Sequence, residues 1–367
     1  MMKVCVITTV HPPNDIRISK ELDTLSKASY EVIYIAKKGK FENDKVTYWP
    51  ITGYHGRLKR LIKGSREALQ KALDANADIY HFHDPELIGL GKKLKRHGKK
   101  VIYDIHEEYP SVILSKNWIP KIFRSMIARL ADTYERRAVE QMNGIVVVVP
   151  EQLERFPNKK EVAILPNYPE TEFLNSMRKN TDEDRVRFVY SGSIDVDRSI
   201  KEMIDAFFML HNKYNIGLDL LGPIHNEELR EYINHKQEES DALTYRGVLS
   251  YNDAIGVVSQ SNIGLMVMHR GRSKEMSSPL KMFEYLGLGL PIIASDFKKW
   301  HEVLDEKPCA LFVDPDSAED IAEKMEILTK DEKLRSQMRD NAIEISRKYT
   351  WKSVEKRLLD LYSSLKD

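Results

Sequence analysis

Residues 277–295, SSPLKMFEYLGLGLPIIAS, combine a helix start, a charged helical face and a tight exit into a strand. Ser278 reads as an N-cap and Pro279 as the first helical residue, where a missing N–H costs nothing and a fixed φ suits the helix. The amides of Leu280 and its successors then point out of a helix N-terminus without intrahelical partners. Such an end favours an anion, and a diphosphate fits it. Lys281 stands in the first turn, where a cation opposes the helix dipole unless an anion offsets it. Glu284 follows one turn later on roughly the same face, where a carboxylate can accept two hydrogen bonds from the vicinal diol of a ribose. Phosphate and then ribose along one helix is how a nucleotide would be read. An ordinary capped helix with a solvated Lys–Glu pair fits the same residues. Gly287, Gly289 and Pro291 are expected to break the helix before a short buried strand at 292–295.

A second turn carries related chemistry. After the β-rich run 186–190 comes SGSIDVDRS. Gly192 frees the backbone beside a ligand, Ser193 follows it, and Arg198 supplies a forked cation suited to phosphate. Asp195 and Asp197 form a D-x-D pair that can hold a divalent metal, but the pattern arises easily by chance in so acidic a stretch, and no metal is expected. In the first half, His106 ends a strand-like run beside Glu107, where an imidazole can donate to a ligand hydroxyl. Asp84 precedes Pro85 and reads first as an N-cap. Asp15 and Arg17 open an earlier helix, Asp15 as its cap and Arg17 as the partner of Asp15. Asp15, Arg17, Asp84 and Glu107 are also candidates for contacting a second ligand. His81, His83 and His106 would make a zinc set only at a frayed strand end, so zinc is not expected there.

The elements that must position these residues alternate. Strand-like runs at 3–9, 31–36, 77–82, 100–105 and 145–149 are separated by helical patterns at 15–27, 57–73, 85–97 and 118–141. A second series has strands at 186–190, 218–221, 244–245, 263–267, 292–295 and 311–313, a helix at 200–211, and a terminal amphipathic helix at 351–365. Such alternation predicts two α/β domains, each a doubly wound parallel sheet, with LPNYPE at 165–170 as the hinge. The length of 367 residues suits two cores. The first turn, HPPNDIRIS, contains no glycine, which argues against a dinucleotide fingerprint, and no P-loop occurs elsewhere.

Composition narrows the class. Hydrophobic residues make up 42% and charged residues 31% of the chain. No apolar run approaches the ~20 residues of a membrane span, and residues 1–10 are too short and lightly flanked for a signal peptide, so a cytoplasmic protein is expected. Cys5 and Cys309 suggest neither a disulfide nor a zinc motif. Residues 1–165 carry 29 Lys and Arg against 20 Asp and Glu, whereas the remainder carries 28 against 36. Part of the basic excess lies in Arg57, Lys59, Arg60, Lys63 and Arg66, around Leu58, Leu61 and Ile62. More lies in Lys116, Lys121, Arg124 and Arg129, flanking a stripe of Ile119, Ile122, Phe123, Met126, Ile127 and Leu130. Core packing is the first expectation for that stripe, and peripheral binding to an anionic membrane the alternative. Nucleic acid is not expected, because the basic stretches lack an aromatic platform or a recognition motif.

Taken together, HPPNDIRISKEL, HFHDPELIGLGKKLKRHGKKVIYDIHEEYP, LPNYPE, YSGSIDVDRSIKEMIDAF and SSPLKMFEYLGLGLPIIASD make the chain resemble a family 4 glycosyltransferase of the GT-B class. The resemblance implies two Rossmann-like domains facing a central cleft. The first, 1–166, would hold the acceptor and be completed by the last helix, 350–367; the second, 167–349, would hold a nucleotide sugar. It implies retaining transfer from a UDP-sugar to a glycan or lipid-linked acceptor in surface polysaccharide biosynthesis, with no cofactor and no obligatory metal. Glu284 matches the ribose-binding glutamate, Arg198 the basic contact to the diphosphate, joined by Lys281, and His106 the strand-end histidine near the transferred sugar. Two departures stand out. Ser193 occupies the place of a frequent arginine, so that one diphosphate contact is either missing or supplied by Lys281. Glu275 and Glu284 are spaced one residue wider than the usual pair, so the amides of residues 277–280 would make the sugar contact instead. A nucleotide-sugar 2-epimerase of the same fold, and a catalytically silent sugar-nucleotide-binding partner of another transferase, are the rival readings.

Overall fold

Parallel strands covered by helices on both faces must be apolar along their length, and the short aliphatic runs of this chain meet that demand. A computed structural model describes residues 1–115, 119–178 and 184–366. They divide into two units, 1–167 with 352–367, and 168–351. In the first unit lie β1 (Lys3–Ile7), β2 (Glu31–Lys37), β3 (Val46–Ile51), β4 (Ile79–Phe82), β5 (Lys100–Ile105), β6 (Gly144–Val147) and β7 (Val162–Ile164). They form one parallel sheet in the order β3-β2-β1-β4-β5-β6-β7. The order reverses between β1 and β4, and the crevice beyond the carboxyl ends of those two strands is where such a sheet places ligands. The terminal helix Trp351–Ser364 packs its last turns on this unit. Tyr362, fully buried, bonds through its hydroxyl to His81 Nδ1 at 2.9 Å.

The second unit repeats the plan with β8 (Val186–Ser191), β9 (Ile216–Leu221), β10 (Leu243–Gly247), β11 (Ile263–Met266), β12 (Ile292–Ser295) and β13 (Ala310–Val313). Its order is β10-β9-β8-β11-β12-β13, parallel throughout, with the reversal between β8 and β11. Two apolar cores, one on each face of this sheet, are built around Phe188, Ile204 and Phe207, and around Tyr285, Leu286 and Trp300.

The chain departs from its sequence reading in particular places. β3, VTYWPI, was not expected because Pro50 interrupts it; as the sheet's edge strand it needs no amide at that position on its outer side. The helix expected over 57–73 is three pieces: Arg57–Lys59, a π-helical turn Arg60–Gly64, and Ser65–Ala75. The helix expected over 118–141 begins only at Lys121, because Pro120 takes the N-cap, and a separate helix, Tyr109–Ser115, precedes it. Lys116 and Trp118 lie outside the described residues. The stripe expected in the core is turned outward: Ile122, Phe123, Met126 and Leu130 are exposed, while Ile119 is buried. No helix among the described residues is long and apolar enough to cross a membrane.

Gly287 does not break its helix, which runs Leu280–Leu288 and ends at Gly289 with φ of 78°. It is small for another reason: a Cβ there would overlap Leu174 Cδ1 of the neighbouring helix Thr171–Met177. Gly287→Ala is therefore expected to cost about 1–3 kcal/mol in urea unfolding by overpacking. In a Leu174→Ala background that added cost should largely vanish; an equal cost in both backgrounds would contradict the contact.

Candidate active site

In the second unit, the exit of β8 is shaped by two glycines. Gly192 (φ 142°) donates its N–H to the Leu221 carbonyl at 2.9 Å. A Cβ on Gly222 (φ 132°) would overlap the Gly192 carbonyl oxygen, so only glycine lets the β8 and β9 exits approach this closely. The Tyr190 hydroxyl donates to the Ser193 carbonyl at 2.7 Å, and the Ser191 N–H donates to the Tyr285 hydroxyl at 3.0 Å. Against this turn stands the start of the Leu280–Leu288 helix. Its N-cap is Pro279, in extended geometry, and no side chain caps it. Ser278 is thus not the N-cap that its type suggested, because the chain stays extended through Pro279. Ser277 turns its hydroxyl back to the Lys274 carbonyl at 2.7 Å. The helix start, with Leu280 as its first residue, keeps its amides free of any side-chain cap.

Lys281 reaches from that first turn to the β8 exit. Its Nζ lies 3.8 Å from the centroid of the Tyr190 ring, and a side chain at Gly192 would meet it at 3.1 Å. This buried Nζ has no hydrogen-bond partner among the described residues. Burial, helped by the nearby Arg198 and opposed by Glu284, pushes its pKa down to about 7. Arg198, at the end of a short 3₁₀ turn, places Nη1 3.4 Å from Met268 Sδ and Nε 3.5 Å from Asp197 Oδ1. Asp197 also pairs with Lys274 at 3.0 Å, and Asp195 accepts from the Val196 N–H, so both acids of the D-x-D pair are engaged within the chain. Glu284 is buried and hydrogen-bonds Tyr251, whose pKa rises through burial and that carboxylate. Glu275 accepts from the Gly271 N–H at 3.0 Å. The structure therefore gathers Gly192, Ser193, Arg198, Lys281 and the 277–280 segment at one switch point, with Glu284 one helical turn further in. Tyr190 and Tyr251 were missed, because a tyrosine at a strand end or helix start reads as core.

In the first unit the polar groups meet each other. Asp15 caps the helix Ile16–Lys27 through the Arg17 and Ile18 amides. The Arg17 side chain does not pair with Asp15. It turns inward to Asp104 (Nη2 3.0 Å, Nε 3.3 Å) and Glu21 (3.3 Å), and its Nη1 donates to the Leu165 carbonyl at 2.7 Å and to Asn167 at 3.0 Å. Asp84 sits at a helix-start position but does not cap it. Its carboxylate accepts from the Thr8 hydroxyl and the Thr9 and Val10 amides at 2.8, 2.7 and 3.2 Å, tying β4 to the exit of β1. His106 Nε2 lies 3.0 Å from His83 Nδ1, and the ring of His11 is 4.8 Å from that of His106. Glu107 is exposed in the following turn. His11 was overlooked in a turn judged only by its missing glycine.

The electrostatics of this cluster follow from burial. His106 and His81 are pushed down to about 4, chiefly by desolvation, so both are neutral at physiological pH. His11 is raised because its bond to Asp15 (3.0 Å) outweighs burial, and the same bond pulls Asp15 down to about 2 against burial. Asp104 is held ionised by Arg17 despite burial, whereas Glu21, desolvated and beside Asp104, is raised well above the ordinary glutamate value. His81 and His83 stack on one face, centroids 4.6 Å apart, so they do share a side of the strand. Glu21, His81, His83 and Asp104 bring one donor atom each within 4.8 Å of one another, a set able to hold a metal ion, with the Arg17 guanidinium already paired to both carboxylates.

Two doubly wound parallel sheets, each with polar groups at its reversal point, define the GT-B architecture. Solved structures share it over essentially the whole chain. Sucrose-phosphate synthase from Thermosynechococcus elongatus aligns with a TM-score of 0.77 at 15% identity, covering 100% of this chain and 99% of that one. HepE of Anabaena, in complex with UDP and glucose, gives 0.72 at 11%, covering 99% and 100%. A trehalose-6-phosphate structure from E. coli bound with UDP-2-fluoro glucose gives 0.72 at 14%, covering 100% and 99%. Residues 21–168 match the model of Glycosyltransferase Family 4, and residues 173–345 that of Glycosyl transferases group 1. The chain belongs to this family and is a glycosyltransferase. No curated protein matches it by sequence.

The opposite protonation of the two buried acids can be tested through stability. Asp104→Asn leaves the Arg17 guanidinium buried without its charge partner and is expected to cost about 3–5 kcal/mol. Glu21→Gln mimics a carboxyl that the fold already keeps neutral. The unfolded wild type releases this proton above about pH 4.5 while the folded state retains it, so the stability of Glu21→Gln relative to wild type should rise from about pH 5 to about pH 8. Urea titrations at the two pH values check both; a Glu21→Gln loss as large as that of Asp104→Asn would contradict the assignment.

Proposed function

We propose that the protein transfers a hexosyl or N-acetylhexosaminyl group from a UDP-sugar to a glycan or lipid-linked acceptor in surface polysaccharide biosynthesis, with retention at the anomeric carbon. The observation that carries this reading is the unpartnered Lys281 ammonium at an uncapped helix start, beside the Gly192 exit and near Arg198. These three features converge on a diphosphate, and Glu284 one turn on suits the ribose. The ligands named for the Anabaena and E. coli neighbours support uracil as the base.

In the step itself, the bond between the anomeric carbon and the donor phosphate oxygen breaks as the acceptor oxygen bonds the same face of that carbon. The acceptor proton passes to the departing diphosphate, so no protein nucleophile is needed. Arg198, Lys281 and the helix amides offset the charge that develops on the leaving group, and preorganised donors of this kind are worth ~3–4 kcal/mol each. With those cations in the chain, no divalent metal is required. His106, neutral at working pH, donates to a hydroxyl of the transferred sugar, and Asp15, Arg17, Asp84 and Glu107 belong to the acceptor side, Arg17 by positioning Asp104. The protein acts in the cytoplasm, peripherally at the inner face of the membrane.

Arg198→Ala is expected to lower kcat by roughly 10²–10³-fold with the fold intact. Glu284→Ala should weaken donor binding about tenfold or more, and chelation should leave the wild-type rate unchanged. Steady-state kinetics with a panel of UDP-sugars, and the anomeric configuration of the product by NMR, provide the test. Unchanged kinetics in both variants would contradict the assignment, and donor conversion without any acceptor would favour the 2-epimerase.

A further inference from the structure

Among the described residues, ten of the seventeen large hydrophobic side chains that stand exposed fall in two short stretches of the first unit, 58–62 and 109–134. The described part of the longer stretch is a pair of packed helices. Ile113, Ile119 and Ala128 make a small cluster of their own that joins Tyr109–Ser115 to Lys121–Gln141. Arg124 ties the connection by donating to the Ile119 and Leu114 carbonyls at 2.7 and 3.4 Å. Ile122, Met126 and Leu130, spaced at i, i+4 and i+8, are 79%, 53% and 64% exposed, so a whole apolar stripe of a 21-residue helix is unpartnered. The shorter stretch contains the π-helical turn, where Leu58 and Ile62 are 74% and 64% exposed. Arg60, in the same turn, pairs with Glu86 at 2.6 Å.

The unpaired charge on this face has one sign, since Asp132 is held by Arg136 and Arg155 and Glu86 by Arg60. Neither 57–66 nor 119–131 contains an Asp or Glu, while Lys59, Lys63, Arg66, Lys121 and Arg129 are exposed among the apolar side chains. A second copy of the same face would set cations against cations, and a nucleic acid would leave the leucines and isoleucines in water. An anionic bilayer accepts both parts, taking the apolar tips at the acyl boundary and the ammonium and guanidinium groups among its headgroups.

We infer that the 58–62 turn and the exposed apolar faces of the helices Tyr109–Ser115 and Lys121–Gln141 form a docking surface for an anionic lipid bilayer. The inference gives the peripheral location in the proposed function its physical surface, and rests on that reading for its purpose but not for its test. The helix pair follows directly on the His106–Glu107–Glu108 turn, so docking would hold the acceptor side of the first unit at the membrane, where a lipid-linked acceptor resides.

The test is sedimentation of the full chain with vesicles of phosphatidylcholine alone and of phosphatidylcholine with phosphatidylglycerol. Binding is expected only to the second, and should weaken as salt rises. Ile122→Ser with Met126→Ser, and separately Lys121→Glu with Arg129→Glu, should each reduce it roughly tenfold or more, with melting temperature and UDP binding unchanged because these side chains touch neither core nor donor turn. Three outcomes would overturn the inference: no binding to the anionic vesicles, binding indifferent to both double substitutions, or concentration-dependent self-association of the wild type that the apolar pair abolishes. Retained UDP binding separates failure of this surface from failure of the donor site.

Discussion

A lysine ammonium sealed from water with no oxygen to receive its protons is an unfavourable arrangement, and Lys281 is held in one. Everything around it contributes to holding it there. The helix start projects it toward the β8 exit, the Tyr190 ring gives it a face to rest on, and Gly192 leaves the space it occupies. The cost shows as a pKa near 7 rather than the ordinary 10.5. An anion at this point would restore the full charge and bond the free helix amides.

The first unit solves the burial of charge in the opposite way. Arg17 and Asp104 pair, while Glu21, His81, His83 and His106 are neutralised, with both Glu21 oxygens and the Nε2 atoms of His81 and His83 left without a hydrogen bond among the described residues. Arg17 runs through the centre, linking the first helix, the end of β5 and the Leu165 and Asn167 segment. Such a network rigidifies its members more than it stabilises the fold. A rigid floor is what His106 and His11 need if they are to present fixed hydrogen bonds to a sugar.

Much of this organisation was legible in the chain. Alternating apolar runs and amphipathic helices predicted two parallel sheets, and the polar turns after 82 and 190 lie at the two reversal points, with that after 105 one strand away. What could not be read depended on neighbours distant in sequence. Pro50 hid an edge strand because edge position is a property of the sheet. Asp84 looked like a cap until β1 was beside it. Arg17 lies near Asp15 in the chain but answers to Asp104, and an apolar stripe at core spacing faces outward because none of the described residues covers it. Local pattern fixes element type; it does not say which face finds a partner.

The account stands on the anion site at Lys281, and calorimetric titration of UDP tests it most directly. Wild type and Lys281→Met would be titrated at about pH 8 in two buffers of different ionisation heat. Binding to wild type should take up a proton, seen as a buffer-dependent enthalpy, because a lysine that is mostly neutral at this pH becomes charged beside the diphosphate. In the variant the buffer dependence should disappear and affinity fall by about 10–100-fold. Equal affinities and no proton uptake in either protein would contradict the account.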